Sequence, residues 1–248
     1  MKRLFAAAAF AASLGSAANA LDLTAMTEAE RDAFRNEVRA YLLENPEVLM
    51  EAIAVLEQRQ ATAEAQQDET FVAANYDALF NDGYSWVGGN PDGDITLVEF
   101  MDYRCGYCRR AFEEVEQLLE SDGNIRFIVK EYPILGEQSA LSAQFAIAVH
   151  QLHGDEVYKG VHDALMTMST DITADSLARL ASGFGLDHLP IFERMMAPEV
   201  TSIIDQNRLL GQRMQITGTP TFIIEGQMVR GYLPLAQMEQ LVATVRED

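Results

Sequence analysis

The stretch ITLVEFMDYRCGYCRRAFEEVEQLLESDGNIRFIVKEYPIL, residues 95–135, constrains this chain more than any other part of it. Its first nine residues are apolar and rich in β-branched side chains, which predicts a buried strand. The following segment places Phe112, Val115, Leu118 and Leu119 on one face, the spacing of an amphipathic helix. Residues 124–135 then form a second apolar run, ended by Pro133. A helix between two strands implies a crossover, so the strands are expected to run parallel. The chain is thereby directed toward an α/β fold.

The rest of the chain is arranged around this unit. Residues 24–80 contain one proline and no glycine and read as helix. Thr27 stands three residues before Glu30, the spacing of a capping box. Asn45-Pro46 divides the region into two helices. Leu42, Leu49, Leu56 and Ala63 recur every seven residues, but Gln60 and Gln67 interrupt an apolar seam. Two readings stay open: a self-associating stalk, or an arm packed on its own domain. The turn-rich segment NDGYSWVGGNPDGD (81–94) marks a boundary or an edge-strand hairpin. Residues 137–214 read as four helices, SALSAQFAIAVHQL, DEVYKGVHDALMTM, TADSLARLASGFG and PEVTSIIDQNRLLGQRM. TGTPTFIIEGQMVRGYL predicts a hairpin turning at Glu225-Gly226, and a closing helix follows. The expected order is helical arm, βαβ, helical insert, ββα.

The first twenty residues carry a basic start, a short apolar run and the sequence ANA, the pattern of a secretory signal peptide. The mature chain is expected to begin at Leu21, outside the cytosol. A net charge of −20 would repel nucleic acid, so that class of partner is set aside.

The two cysteines of the chain, Cys105 and Cys108, are separated by Gly106 and Tyr107. In the chain-entropy description a disulfide closing so short a loop contributes about 2 kcal/mol, against about 4.7 for a 100-residue loop, so a structural staple is a poor reason for the pair. The pair lies where the first strand gives way to the helix. Free N–H groups and the helix dipole favour a thiolate at that point. At a pKa of about 8.5 roughly 3% of a thiol is ionised at pH 7, and at about 6 roughly 90% is. Cys105, at the tip, is expected to attack, and Cys108, a turn further in, to resolve the mixed disulfide. Arg104, Arg109 and Arg110 either favour that thiolate or are solvated and paired with Glu113 and Glu114. A structural zinc site would need four ligands, and there is no second cysteine pair. His150, His153, His162 and His188 all fall in the insert, so no metal site is expected.

With VEFMDYRCGYC, VKEYPILG and GTPTFII in this order, residues 84–246 resemble the DsbA-like branch of the thioredoxin superfamily. The resemblance implies a thioredoxin fold with an inserted helical domain, preceded by the N-terminal arm. It places the catalytic domain at 81–248 and the insert at about 137–214. It implies a thiol:disulfide oxidoreductase with Cys105 as nucleophile and Cys108 as resolving thiol, requiring no cofactor. Thr219-Pro220 then corresponds to a cis-proline loop that binds substrate backbone. Glu99 and Lys130 match positions of acidic and basic groups beneath the active site, expected to tune the Cys108 proton. The alternative for these two is an edge-exposed pair. Gly106-Tyr107 differs from the Pro-His of the strongly oxidising founder, so oxidising strength does not carry over. The arm, with YLLENPEVLMEAI, is similar to the suppressor-of-copper-sensitivity protein C group, whose members can oligomerise through this arm and isomerise disulfides.

The expected setting is a bacterial periplasm. The expected partners are unfolded or misfolded secreted proteins with cysteines, a membrane redox partner, and further copies of the chain joined through residues 24–80. Two other functions compete: a copper-binding or copper-relay protein using the same thiolates for Cu(I), and a structural surface protein that keeps the fold without turnover.

Overall fold

The computed structural model describes residues 25–247. The expected signal peptide lies outside the described residues. No helix among them is long and apolar enough to cross a membrane.

Helix α1 spans Glu28–Glu44 and α2 Glu47–Ala74. Thr27 and Glu30 form the capping box reciprocally, and the helices break at Asn45-Pro46. Contacts divide the chain between Arg59 and Gln60. The N-terminal unit buries no residue of α1, and Phe34, Tyr41, Leu43, Leu49, Met50 and Leu56 are exposed on it. The C-terminal unit begins before the expected boundary at residue 80, because Val72, Leu79 and Phe80 are buried in its core. Leu79 and Phe80 belong to the short helix α3, Tyr76–Phe80.

Strand β1 (Trp86–Gly89) precedes β2 (Ile95–Met101), α4 (Gly106–Asp122) and β3 (Ile125–Glu131). Helices α5 (Glu137–His153), α6 (Asp155–Thr167), α7 (Ala174–Gly183), α8 (His188–Met195) and α9 (Pro198–Arg213) form the insert. Strands β4 (Thr221–Ile224) and β5 (Gln227–Arg230) and helix α10 (Leu235–Glu247) close the fold. The insert therefore has one helix more than its periodicity suggested. Asp187 caps α8 by accepting from Leu189 N. Pro190 falls in the first turn, where a missing N–H costs nothing.

The sheet order is β1-β3-β2-β4-β5. β2 and β3 are parallel and every other pairing is antiparallel. β1 is thus an edge strand on β3, not half of a hairpin with β2. The period of two along a strand sorts the central residues onto two faces. Leu97, Met101, Phe127, Val129, Phe222 and Ile224 join the cluster that holds both cysteines. Val98, Phe100, Ile128 and Ile223 join a second cluster with Val72, Leu79, Phe80, Leu210 and Met214. At about 1.5–3 kcal/mol per fully buried large apolar side chain, these two layers hold the sheet between helices. They also leave the end of β2 rigid, and the cysteine turn leaves from that end.

Candidate active site

Met101 ends β2 and Asp102 starts the turn. The backbone N–H of Cys105 donates to Asp102 O at 3.0 Å. The Asp102 carboxylate accepts from Arg104 N at 2.8 Å, Ile134 N at 2.9 Å and Leu135 N at 3.1 Å. One buried acid thereby joins the cysteine turn to the loop that leaves β3. Cys105 is the N-cap of α4, and its Sγ accepts from Cys108 N at 3.4 Å. Both cysteines are free thiols and both are buried, while Tyr107 between them is 61% exposed. A Cβ on Gly106 would meet nothing within 4 Å. The two middle residues are therefore the open side of the pair.

The environments drive the two thiols apart. Cys105 is lowered from the ordinary thiol value to about 5. The Cys108 side chain is the first cause, and bonds from backbone N–H groups at the helix start act the same way, against burial. Burial pushes Cys108 far up, and its bond to Cys105 and the charge of Glu99 add to that. The result is a thiolate at the helix tip and a thiol one turn inside, an arrangement suited to exchange with an external disulfide.

The Thr219-Pro220 peptide bond is cis. The Thr219 carbonyl lies 3.1 Å from Cys105 Sγ. An acceptor bonds only the protonated thiol, so the N–H and S–H donors of α4 are what favour the thiolate. Residues from two distant segments, 105–108 and 219–220, thus meet at one point.

Glu99 and Lys130 are not brought together. Glu99 is in register with Val129, and Lys130 with Phe100. Glu99 faces the cysteine layer. It is 2% exposed, its Oε1 has no hydrogen-bond partner, and burial, then the Cys105 charge, raises its carboxyl to about 8. Lys130 lies on the other face with Phe100. Its Nζ donates to Asp82 Oδ2 at 2.5 Å and Ala78 O at 2.8 Å, with the Tyr84 ring centroid 5.7 Å away. Contrary to expectation, Glu99 and Lys130 do not lie together beneath the cysteines, since adjacent register positions project to opposite sides of a sheet. The edge-exposed alternative fails as well, because both side chains are buried.

The arginines beside the cysteines have other partners. Arg104 reaches Thr170 O at 3.4 Å, Arg109 Nε donates to Tyr103 O at 2.7 Å, and Arg110 lies 4.5 Å from the Tyr232 ring centroid. Glu114 accepts from Tyr232 Oη at 2.6 Å and Leu235 N at 3.0 Å. Asp102, Tyr103, Glu131 and Tyr232 are functional candidates that no motif or spacing in the sequence marks. An acid at a strand end, as in MDYRC, is the signal that could have flagged Asp102, since a carboxylate there suits the free N–H groups of a turn. Among the described residues no group of three or more His, Cys, Asp or Glu side chains is placed to hold a metal ion.

Residues 96–243 match the model of the DSBA-like thioredoxin domain. The chain belongs to that family. Residues 30–63 match the model of the copper resistance protein ScsC N-terminal domain. A thioredoxin-like oxidoreductase from Silicibacter pomeroyi DSS-3 is 42% identical, with a TM-score of 0.66, over 70% of this chain and 99% of that one. A linker-deletion mutant of ScsC from Proteus mirabilis is 26% identical, with a TM-score of 0.67, over 90% of this chain and 98% of that one. A curated relative, the Na(+)/H(+) antiporter NhaA of Nitrosospira multiformis, is 27% identical over 157 residues, which is 62% of this chain and 25% of that one. The chain spans about a quarter of the length of the curated relatives it matches. Within the DSBA-like family frame, the cysteine turn and the Thr219-Pro220 loop lie side by side.

Proposed function

We propose that this chain is a thiol:disulfide oxidoreductase acting on exported proteins, with Cys105 as nucleophile and Cys108 as resolving thiol. The observation that carries the reading is the opposed state of the two sulfurs, a thiolate capping α4 and a buried thiol one turn behind it. In the oxidising direction a substrate thiolate attacks Cys105 of the Cys105–Cys108 disulfide, and the Cys108 thiolate leaves. A second substrate thiolate attacks the substrate sulfur of the mixed disulfide, and Cys105 leaves as a thiolate. Two electrons pass from substrate to protein, and the substrate gains a disulfide. A membrane redox partner then takes the two electrons. In the isomerising direction the Cys105 thiolate attacks a wrong disulfide and is released when a different substrate thiolate attacks the mixed disulfide, without net oxidation. Thr219 and Pro220 line the substrate strand beside Cys105. Gly106 and Tyr107 set the exposed edge, and Glu99 tunes the Cys108 proton.

The basic, apolar and ANA segments of residues 1–20 support export through a signal peptide, and with it a periplasmic setting. The exposed apolar residues of the N-terminal unit support association of copies through the arm. Light scattering of the full mature chain should then give a mass above that of a monomer, and a monomer at high concentration would remove that part of the reading.

Cys105→Ser tests the central claim. It should abolish dithiol oxidation and the refolding of scrambled substrates, with the fold intact by circular dichroism. Retention of turnover in this variant would sink the assignment.

A further inference from the structure

The exchange just described leaves one buried acid without a use. Glu131, the last residue of β3, lies on the cysteine face of the sheet. Its Oε1 accepts from Tyr103 Oη at 2.7 Å and from Tyr158 Oη at 2.7 Å. Tyr103 Oη also lies 3.0 Å from His162 Nδ1. All four side chains are buried. Tyr103 is in the cysteine turn, while Tyr158 and His162 are on α6 of the insert.

The proton count gives the network a direction. A phenol has one proton. Tyr103 gives its own to Glu131, so His162 must donate Nδ1–H to the Tyr103 oxygen. Burial holds the His162 ring far below its usual range, at about 3, so it is the neutral tautomer that donates. The chain therefore runs from His162 through Tyr103 to Glu131, and Tyr158 enters from the other side. The same groups touch α4. Phe112 packs edge-on against the His162 ring at 5.8 Å, and Trp86 of β1 stacks over it at 6.4 Å.

We propose that Glu131 is the positioning residue of the cysteine turn, fixing through Tyr103 the backbone that carries Cys105 and tying that turn to the helical insert through Tyr158 and His162. This rests on the reading of Cys105 as the reacting thiol. Tyr103 is held on three sides. Its hydroxyl is anchored by Glu131 and His162, and its carbonyl accepts from Arg109 Nε of α4. The next residue is fixed through its N–H by Asp102. Cys105 follows directly, and the alignment of its sulfur with the Cys108 N–H depends on where that turn places it. Glu131 needs only a carbonyl-type acceptor for this role. Burial raises its carboxyl to about 8, against the pull of the two phenols, so an uncharged acceptor suits the site. Its Oε2 has no partner.

The test compares Glu131→Gln with Glu131→Leu in the full chain. The readouts are the thiolate absorbance of Cys105 against pH, the equilibrium with glutathione, and the melting temperature. Glutamine keeps the acceptor and should titrate like the parent. Leucine removes it and should raise the Cys105 midpoint by about one unit, tenfold in the thiol–thiolate equilibrium. Tyr103→Phe, which keeps the ring, should move the midpoint the same way and serves if the leucine variant does not fold. A lowered melting temperature with an unchanged titration and glutathione equilibrium would overturn the proposal, because a merely structural contact moves only the first. Cys105→Ser assigns the signal. If the low-pH thiolate survives that change, the reading of Cys105 fails and this proposal with it. If the signal is lost there yet unmoved in Glu131→Leu and Tyr103→Phe, only the role of Glu131 fails.

Discussion

Glu99 and Lys130 lie on the two central strands, one register position apart, and both are out of contact with water. Their surroundings are opposite. Lys130 is matched by a carboxylate, a carbonyl and a ring face, and its ammonium, though lowered by burial, is held by the Asp82 charge. Asp82 is pulled below the usual carboxylate range: burial opposes this, and Lys130 together with Ser85 outweighs it. Glu99 has an oxygen with no partner and two sulfurs in its layer. A buried titratable group that is fully satisfied fixes structure. One that is left partly unsatisfied keeps a perturbed affinity for a proton, which chemistry can use.

The largest effect is expected at Lys130. Lys130→Met leaves Asp82 buried without its partner and should cost about 3–5 kcal/mol of stability, read as a lowered denaturant midpoint, with thiol exchange of the folded fraction unchanged. If exchange changes instead, Lys130 acts on the cysteines after all. Glu99→Gln acts on the cysteine face of the sheet. The folded carboxyl at about 8 lies above its unfolded value of 4.5, so the unfolded chain loses the proton first. Stability from this group is therefore full below about pH 4.5 and drains away as pH rises to about 8, by about 3 kcal/mol at pH 7. The glutamine variant should lack that part of the slope in pH-dependent unfolding, while Glu131 keeps its own share. It should also change the lifetime of a trapped mixed disulfide at Cys105. An unaltered slope would mean that Glu99 ionises in the fold without penalty.

Much of this arrangement was legible in the sequence. The strand–helix–strand unit, the helix tip at Cys105, the break at Asn45-Pro46 and the turn at Glu225-Gly226 are all local patterns, and each is realised. What failed needed register. In VKEYP the basic and acidic residues are neighbours, and only the pairing of β3 with β2 shows that Glu131, not Lys130, shares the layer of Glu99. The network of Glu131 joins residues 103, 131, 158 and 162, and no spacing rule connects them. The extra helix α8 was hidden because a proline in a first turn resembles a break. The arm pattern was plain, yet Val72 and Phe80 read equally well as stalk or as core until the sheet supplied their neighbours.

The N-cap of α4 is a sulfur, and the proposed exchange would change its oxidation state. As a thiolate, Cys105 is an anionic acceptor for the first turn; within a disulfide it is a neutral and poor one. Helix stability and electron count are therefore linked in one thermodynamic cycle. An N-cap is worth about 1 kcal/mol, which for a two-electron couple corresponds to about 20 mV. That contribution favours the dithiol, so in the proposed exchange the helix stores part of the driving force with which the oxidised protein takes electrons, offsetting about half of what the short disulfide loop contributes.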